Sequence, residues 1–158
     1  MKNTINLLKK LTDSIQHRSS VYKKAANSIG HWPHRDIRFV LLQYQEESQR
    51  YISNLLSFIP QKNTDNTTAQ NDNAIYKLVK ITPVVPVAVS ELEITNILRS
   101  CIAIEESCKS AYQQVINEID DSLGALAYEL RRQADGQYMA YNHIKTLLDC
   151  NSLDLQAV

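Results

Sequence analysis

Four prolines set the limits of what this chain can fold into. They stand at Pro33, Pro60, Pro83 and Pro86, and a proline inside a helix removes a backbone donor and clashes with the preceding turn. The proline-free stretches between them are long enough for long helices. The spacing predicts α1 over residues 4–29, stopped by Gly30, and α2 over 33–59, with Pro33 in the first turn where a missing N–H is harmless. It predicts α3 over 90–119, with Ser90 as N-cap and Glu93 three residues on completing a capping box. Asp120, Asp121 and Ser122 turn the chain, and α4 follows over 122–149. With only 3 glycines in 158 residues, neither a fold made of tight turns nor a phosphate-cradling loop is within reach.

Each segment carries an apolar stripe at alternating spacings of three and four, the mark of an amphipathic helix. In α1 the stripe is Thr4, Leu8, Leu11, Ile15, Arg18, Tyr22, Ala25, Ile29, and in α3 it is Ile94, Leu98, Cys101, Glu105, Cys108, Tyr112, Val115, Ile119. The two coincide at a constant offset of 90, so α1–α2 and α3–α4 read as two similar hairpins. The α2 stripe is Ile37, Leu41, Tyr44, Ser48, Tyr51, Leu55, Phe58, and the α4 stripe is Leu123, Leu126, Leu130, Gln133, Gln137, Ala140, Ile144, Leu147. Four such helices joined by short turns within each pair predict an all-α four-helix bundle occupying the chain as one domain, 1–158.

The connection 60–89 is far longer than a hairpin requires. Residues 61–73 hold one apolar side chain, Ala69, and read as a polar loop, whereas 74–89 are apolar and β-prone, interrupted by Pro83 and Pro86. Extended, such a connection can travel the length of a helix, about 37 Å at 1.5 Å per residue, and bring α3 parallel to α2. That is the crossover of ferritin-like bundles. Segment 74–89 is expected to pack along the bundle or against the same segment of a second subunit.

Charge and cysteine usage narrow the class of function. The 17 basic residues balance the 17 acidic ones, which argues against a general nucleic-acid or membrane-surface binder. Residues 1–40 nevertheless carry eight basic side chains against Asp13 and Asp36, offset by an acidic remainder. This is either complementarity between neighbouring helices or a basic face for an anionic partner. The 3 cysteines form no CxxC pair, and Cys101 and Cys108 would lie about 10 Å apart on one helix, too far for a disulfide. With no apolar run near the ~20 residues of a membrane span, the expected location is the cytoplasm.

The informative residues interrupt the stripes. Arg18, Ser48, Glu105, Gln133 and Gln137 all fall near mid-helix, so the four helices can meet in one buried polar layer. A buried carboxylate such as Glu105 persists only when paired. Arg18 is the expected partner, with Ser48 and Gln133 adding hydrogen bonds. Tyr22, Tyr44, Tyr51 and Tyr112 share the stripes and need partners for their hydroxyls. The alternative is a metal site drawing on Glu105, Glu106, Glu47, His17 and His143, with iron or another divalent ion. A di-iron bundle, however, needs a Glu-x-x-His on each of two helices, and the chain offers none. His31 and His34 flank Trp32-Pro33 as a possible loop pair. The expectation is no cofactor and no catalytic residue.

Two segments carry a family resemblance. LLKKLTDSIQHRSSVYKKAANSI (residues 7–29) resembles the opening helix of a bacterial ferritin-like family of unknown function with stress-associated members. CIAIEESCKSAYQQVI (101–116) resembles its third helix, in which a Glu pair precedes Lys-x-x-Tyr, and Gln133 followed by His143-Ile144 fits the fourth. The resemblance implies a ferritin-like bundle, expected to be a homodimer, with no established activity, and carries Glu105 and Glu106 over as site positions. The expected function is therefore a non-catalytic, stress-associated protein that oligomerises or binds a protein partner. The alternative is a metal-binding or oxidase-like protein with a degenerate di-iron-type site.

Overall fold

A computed structural model describes residues 2–30, 34–60 and 90–156, with side chains described through Ser152. Within these residues it consists of four helices and no strand: α1 (Lys2–Ser28), α2 (Arg35–Leu56), α3 (Glu91–Glu118) and α4 (Gly124–Gln156). The connection 61–89, including the apolar segment 74–89, lies outside the described residues, as do His31, Trp32 and Pro33.

Local chemistry sets the helix ends. Ser90 caps α3 with a reciprocal capping box: its hydroxyl accepts from Glu93 N–H at 3.3 Å, and Glu93 Oε2 accepts from Ser90 N–H at 3.0 Å. Between α3 and α4, Asp120 Oδ1 accepts from Ser122 N–H and its carbonyl from Leu123 N–H. These bonds spend the turn residues, so α4 starts at Gly124 rather than 122. At the end of α2, Phe58 and Ile59 N–H groups bond three residues back, a tightened turn that closes the helix at Leu56 instead of 59. The far end of α4 runs seven residues beyond the expected Asp149. Asn151, four residues beyond Leu147 and so the next position of the α4 stripe, is buried there and donates to Thr95 Oγ1 and Glu91 O, pinning the helix to the start of α3.

Cross-helix bonds fix the directions. Arg18 meets Ser48 and Arg38 meets Ala26 O, so α1 and α2 are antiparallel. Glu105–Gln137 and Thr95–Asn151 make α3 and α4 antiparallel, and Tyr22–Glu105 with Ser14–Cys108 do the same for α1 and α3. It follows that α2 runs parallel to α3. The packed pairs form a square, α1 against α2 and α3, and α4 against α3 and α2, with α2 and α4 the most loosely packed side.

The stripe positions form the core, but as two clusters. One holds Leu8, Leu11, Ile15, Leu55, Tyr112, Val115, Leu126 and Leu130. The other holds Ala26, Ile29, Leu41, Ile94, Leu98, Cys101 and Ile144. Arg18, Ser48, Glu105 and Gln137, all buried, lie between them. The stripe termini Phe58 and Leu123 are exposed.

Gly136, inside α4, faces Tyr51 of α2, and a Cβ at that position would overlap the Tyr51 hydroxyl oxygen. The helix accepts glycine here, at a propensity cost of about 1 kcal/mol, because the hydroxyl needs the space. Gly136→Ala should therefore destabilise the protein in urea unfolding, despite alanine's better helix propensity. In a Tyr51→Phe background the same change should become neutral or stabilising.

Candidate functional site

The polar layer is built around one guanidinium. Arg18 is 1% exposed, and three of its nitrogens each bind a different side chain. Nε donates to Glu105 Oε1 at 2.8 Å, Nη1 to Ser48 Oγ at 2.8 Å, and Nη2 to Glu47 Oε1 at 3.1 Å. One arginine of α1 thus reaches both α2 and α3. Tyr22, Tyr44 and Tyr51 surround it, their ring centroids 5.3, 5.8 and 6.0 Å from the guanidinium carbon, within cation–π range.

Glu105 is fully buried and saturated. Its Oε1 also accepts the Tyr22 hydroxyl at 2.5 Å, and its Oε2 accepts Gln137 Nε2 at 2.8 Å. The same Gln137 nitrogen reaches Glu105 O at 2.7 Å, tying α4 to α3. Ser48 Oγ in turn donates a hydrogen bond to Tyr44 O. Among the described residues no buried side-chain nitrogen or oxygen lacks a partner, as a low-dielectric interior demands.

Gln133 does not join Arg18 and Glu105 as expected. One helical turn from Gln137, it accepts from the Tyr112 hydroxyl at 2.9 Å and donates to Tyr51 O and Glu129 Oε1. A turn of helix rises about 5.4 Å, enough to separate the two glutamines into adjacent levels. Glu129 also accepts from Asn54 and from Arg132 through two nitrogens, at 2.9 and 2.7 Å.

These contacts fix the charge states. Burial alone would weaken Arg18's hold on its proton, but Glu105, Tyr22 and Glu47 outweigh it and hold the proton more tightly than in an ordinary arginine. Burial, then Glu105, pushes the Tyr22 hydroxyl well up, and burial with Glu47 and Glu105 pushes Tyr44 to about 12. Burial likewise raises the Cys101 and Cys108 thiols to about 12, so neither is a reactive thiolate. Hydrogen bonds from Arg132, with those from Gln133 and Asn54, pull Glu129 down to about 2.

The metal candidates are not brought together. Glu105 and Glu47 both face Arg18, whose positive charge lies where the two carboxylates meet. Glu106 and His17 are exposed. His143 is exposed on α4 with Nδ1 2.6 Å from the Tyr44 hydroxyl. His34 lies 3.9 Å from Glu91. Among the described residues no three His, Cys, Asp or Glu side chains are grouped to hold a metal ion. The donor set does not fit a di-iron carboxylate centre. A comparison with family models, curated proteins and solved structures finds no match to this chain.

Sequence spacing places Glu47 among the metal candidates and misses its bond to Arg18, because Glu47 precedes stripe residue Ser48 and lies off the stripe. It also misses the Asn54–Glu129–Arg132 group, which lies off every stripe.

Removing Glu105 strands a buried arginine, so Glu105→Leu and Arg18→Leu should each cost about 3–5 kcal/mol in urea unfolding. The double variant should lose far less than the sum. Glu129 titrates lower folded than its ordinary 4.5, so its stabilisation is complete above that pH and lost as pH falls toward about 2. Glu129→Gln should flatten the acid limb of the stability curve across that window.

Proposed function

We propose that this chain is a ferritin-like bundle whose central site is closed by its own arginine, and that it acts without catalysis, by associating with itself or with a protein partner in the cytoplasm. The observation that carries this reading is the Arg18 guanidinium between Glu47 and Glu105. In a di-iron bundle, carboxylates from different helices share a bound cation; here a covalently fixed cation serves the same carboxylates. A built-in charge holds the helices together but leaves no exchangeable coordination position.

The parallel α2 and α3 agree with ferritin-like topology. With the core satisfied, the surface is where recognition is available. α4 exposes Tyr128 (70%), Tyr138 (54%) and Met139 (71%), side-chain types enriched at protein interfaces. A role in stress rests on the resemblance of segments 7–29 and 101–116. Among the described residues no helix is long and apolar enough to cross a membrane.

Two measurements on the full chain test the reading. After anaerobic exposure to ferrous iron and desalting, mass spectrometry should find no stoichiometric iron, and oxygenation should show no ferroxidase burst. Sedimentation equilibrium should show a dimer that Met139→Glu weakens. Stoichiometric iron lost in Glu105→Ala would replace this reading with a metal-binding one, and a monomer binding no protein partner would remove the associative role.

A further inference from the structure

The loosely packed side of the bundle, between α2 and α4, opens into a cleft of about 400 Å³ lined by Glu47, Arg50, Tyr51, Asn54 and Arg132. The volume lies within the range of small-molecule sites, and every lining residue is polar or amphipathic. This sets it apart from the larger cleft at the bundle end, whose walls include Ile5, Leu8, Phe58, Leu123 and Leu126.

Its charges are arranged with opposite signs at two places. Arg50 is exposed and makes no hydrogen bond or ion pair among the described residues. Arg132 uses Nε and Nη2 on Glu129, which Gln133 and Asn54 hold in place. Its Nη1 is left uncommitted on an oriented guanidinium, suited to a carboxylate. On the inner side is Glu47, whose side chain is 19% exposed. Glu105 is fully enclosed and saturated, whereas Glu47, bonded to Arg18 and to the Tyr51 hydroxyl, is the carboxylate of the layer that also lines the cleft. Glu47 and Arg50 are three residues apart on one helix, side by side on the same face.

We infer that this cleft binds a small zwitterion of amino-acid size, its ammonium on Glu47 and its carboxylate on Arg50 and Arg132. Such a ligand sets a positive charge against Glu47 and occupies the free arginine donors together. A simple anion would meet Glu47 unfavourably, and a simple amine would leave the arginines unused. Arg132 shares the face of α4 that carries Tyr128, so the variant that separates this inference from self-association is Arg50→Gln, on α2.

The test is a titration of ¹⁵N-labelled full-length protein with L-alanine, γ-aminobutyrate and 5-aminovalerate, using butyrate and butylamine as one-ended controls. At least one zwitterion should give saturable shifts at Arg50, Asn54 and Arg132, with both controls about tenfold weaker, or roughly 1.4 kcal/mol. Arg50→Gln, an exposed change, should weaken binding by a similar factor. Glu47→Gln should do the same for the zwitterion while leaving or improving butyrate binding. The inference is overturned if no zwitterion gives saturable shifts. It is equally overturned if butyrate binds as well as the best zwitterion, or if Arg50→Gln leaves the affinity unchanged.

Discussion

Arg18 is the group on which the arrangement of the four helices depends. A guanidinium in a hydrophobic core is tolerable only if its charge and its donors are answered. Answering them here requires Glu105 from α3, Ser48 and Glu47 from α2, and three tyrosine faces at once. Sliding α1 along α2 or α3 by one turn would break every one of those bonds. Leucine packing alone tolerates such slips far better, since one apolar surface resembles the next. The polar layer therefore selects the register, while the apolar clusters on either side supply the bulk of the burial.

The fourth helix is attached by different means. Among the described residues its backbone does not approach that of α1 closely, although Leu8 and Leu11 share a core cluster with Leu126 and Leu130, and it joins the layer through Gln137, which holds both the carboxylate and the carbonyl of Glu105. Its backbone approaches α2 less closely than it does α3, and across that side run the bonds Tyr44–His143, Tyr51 O–Gln133 and Asn54–Glu129. At Gly136 the missing side chain admits the Tyr51 hydroxyl. The polar cleft forms on this side, where the two backbones approach least closely. Structural economy in the core and an accessible polar surface are thus two results of one packing pattern.

Much of this was legible in the sequence because helical spacing reports burial directly. Arg18, Ser48, Glu105 and Gln137 stand out as polar residues in otherwise apolar stripes, and all four are buried. What spacing cannot convey is height along the bundle to better than a turn, which is why Gln133 falls a level away from its expected partners. Nor can it find a residue whose role depends on a neighbour across the bundle. Glu47 reads as a candidate metal ligand until Arg18 is seen to reach it. Asn151 reads as a tail residue until Thr95 and Glu91 are seen beside it. Gly136 was open to detection as the one glycine deep inside a helical pattern, where its propensity cost calls for a reason.

The most direct test of Arg18 as a closed internal cation is hydrogen exchange at its own side chain. In a nitrogen-edited spectrum the Arg18 Nε–H, bonded to Glu105, should give a resolved resonance. Its exchange should require global unfolding and so track the most protected core amides. Exchange as fast as that of exposed arginines such as Arg131 would mean that the guanidinium reaches water, and the account of a sealed layer fixing the register would fail.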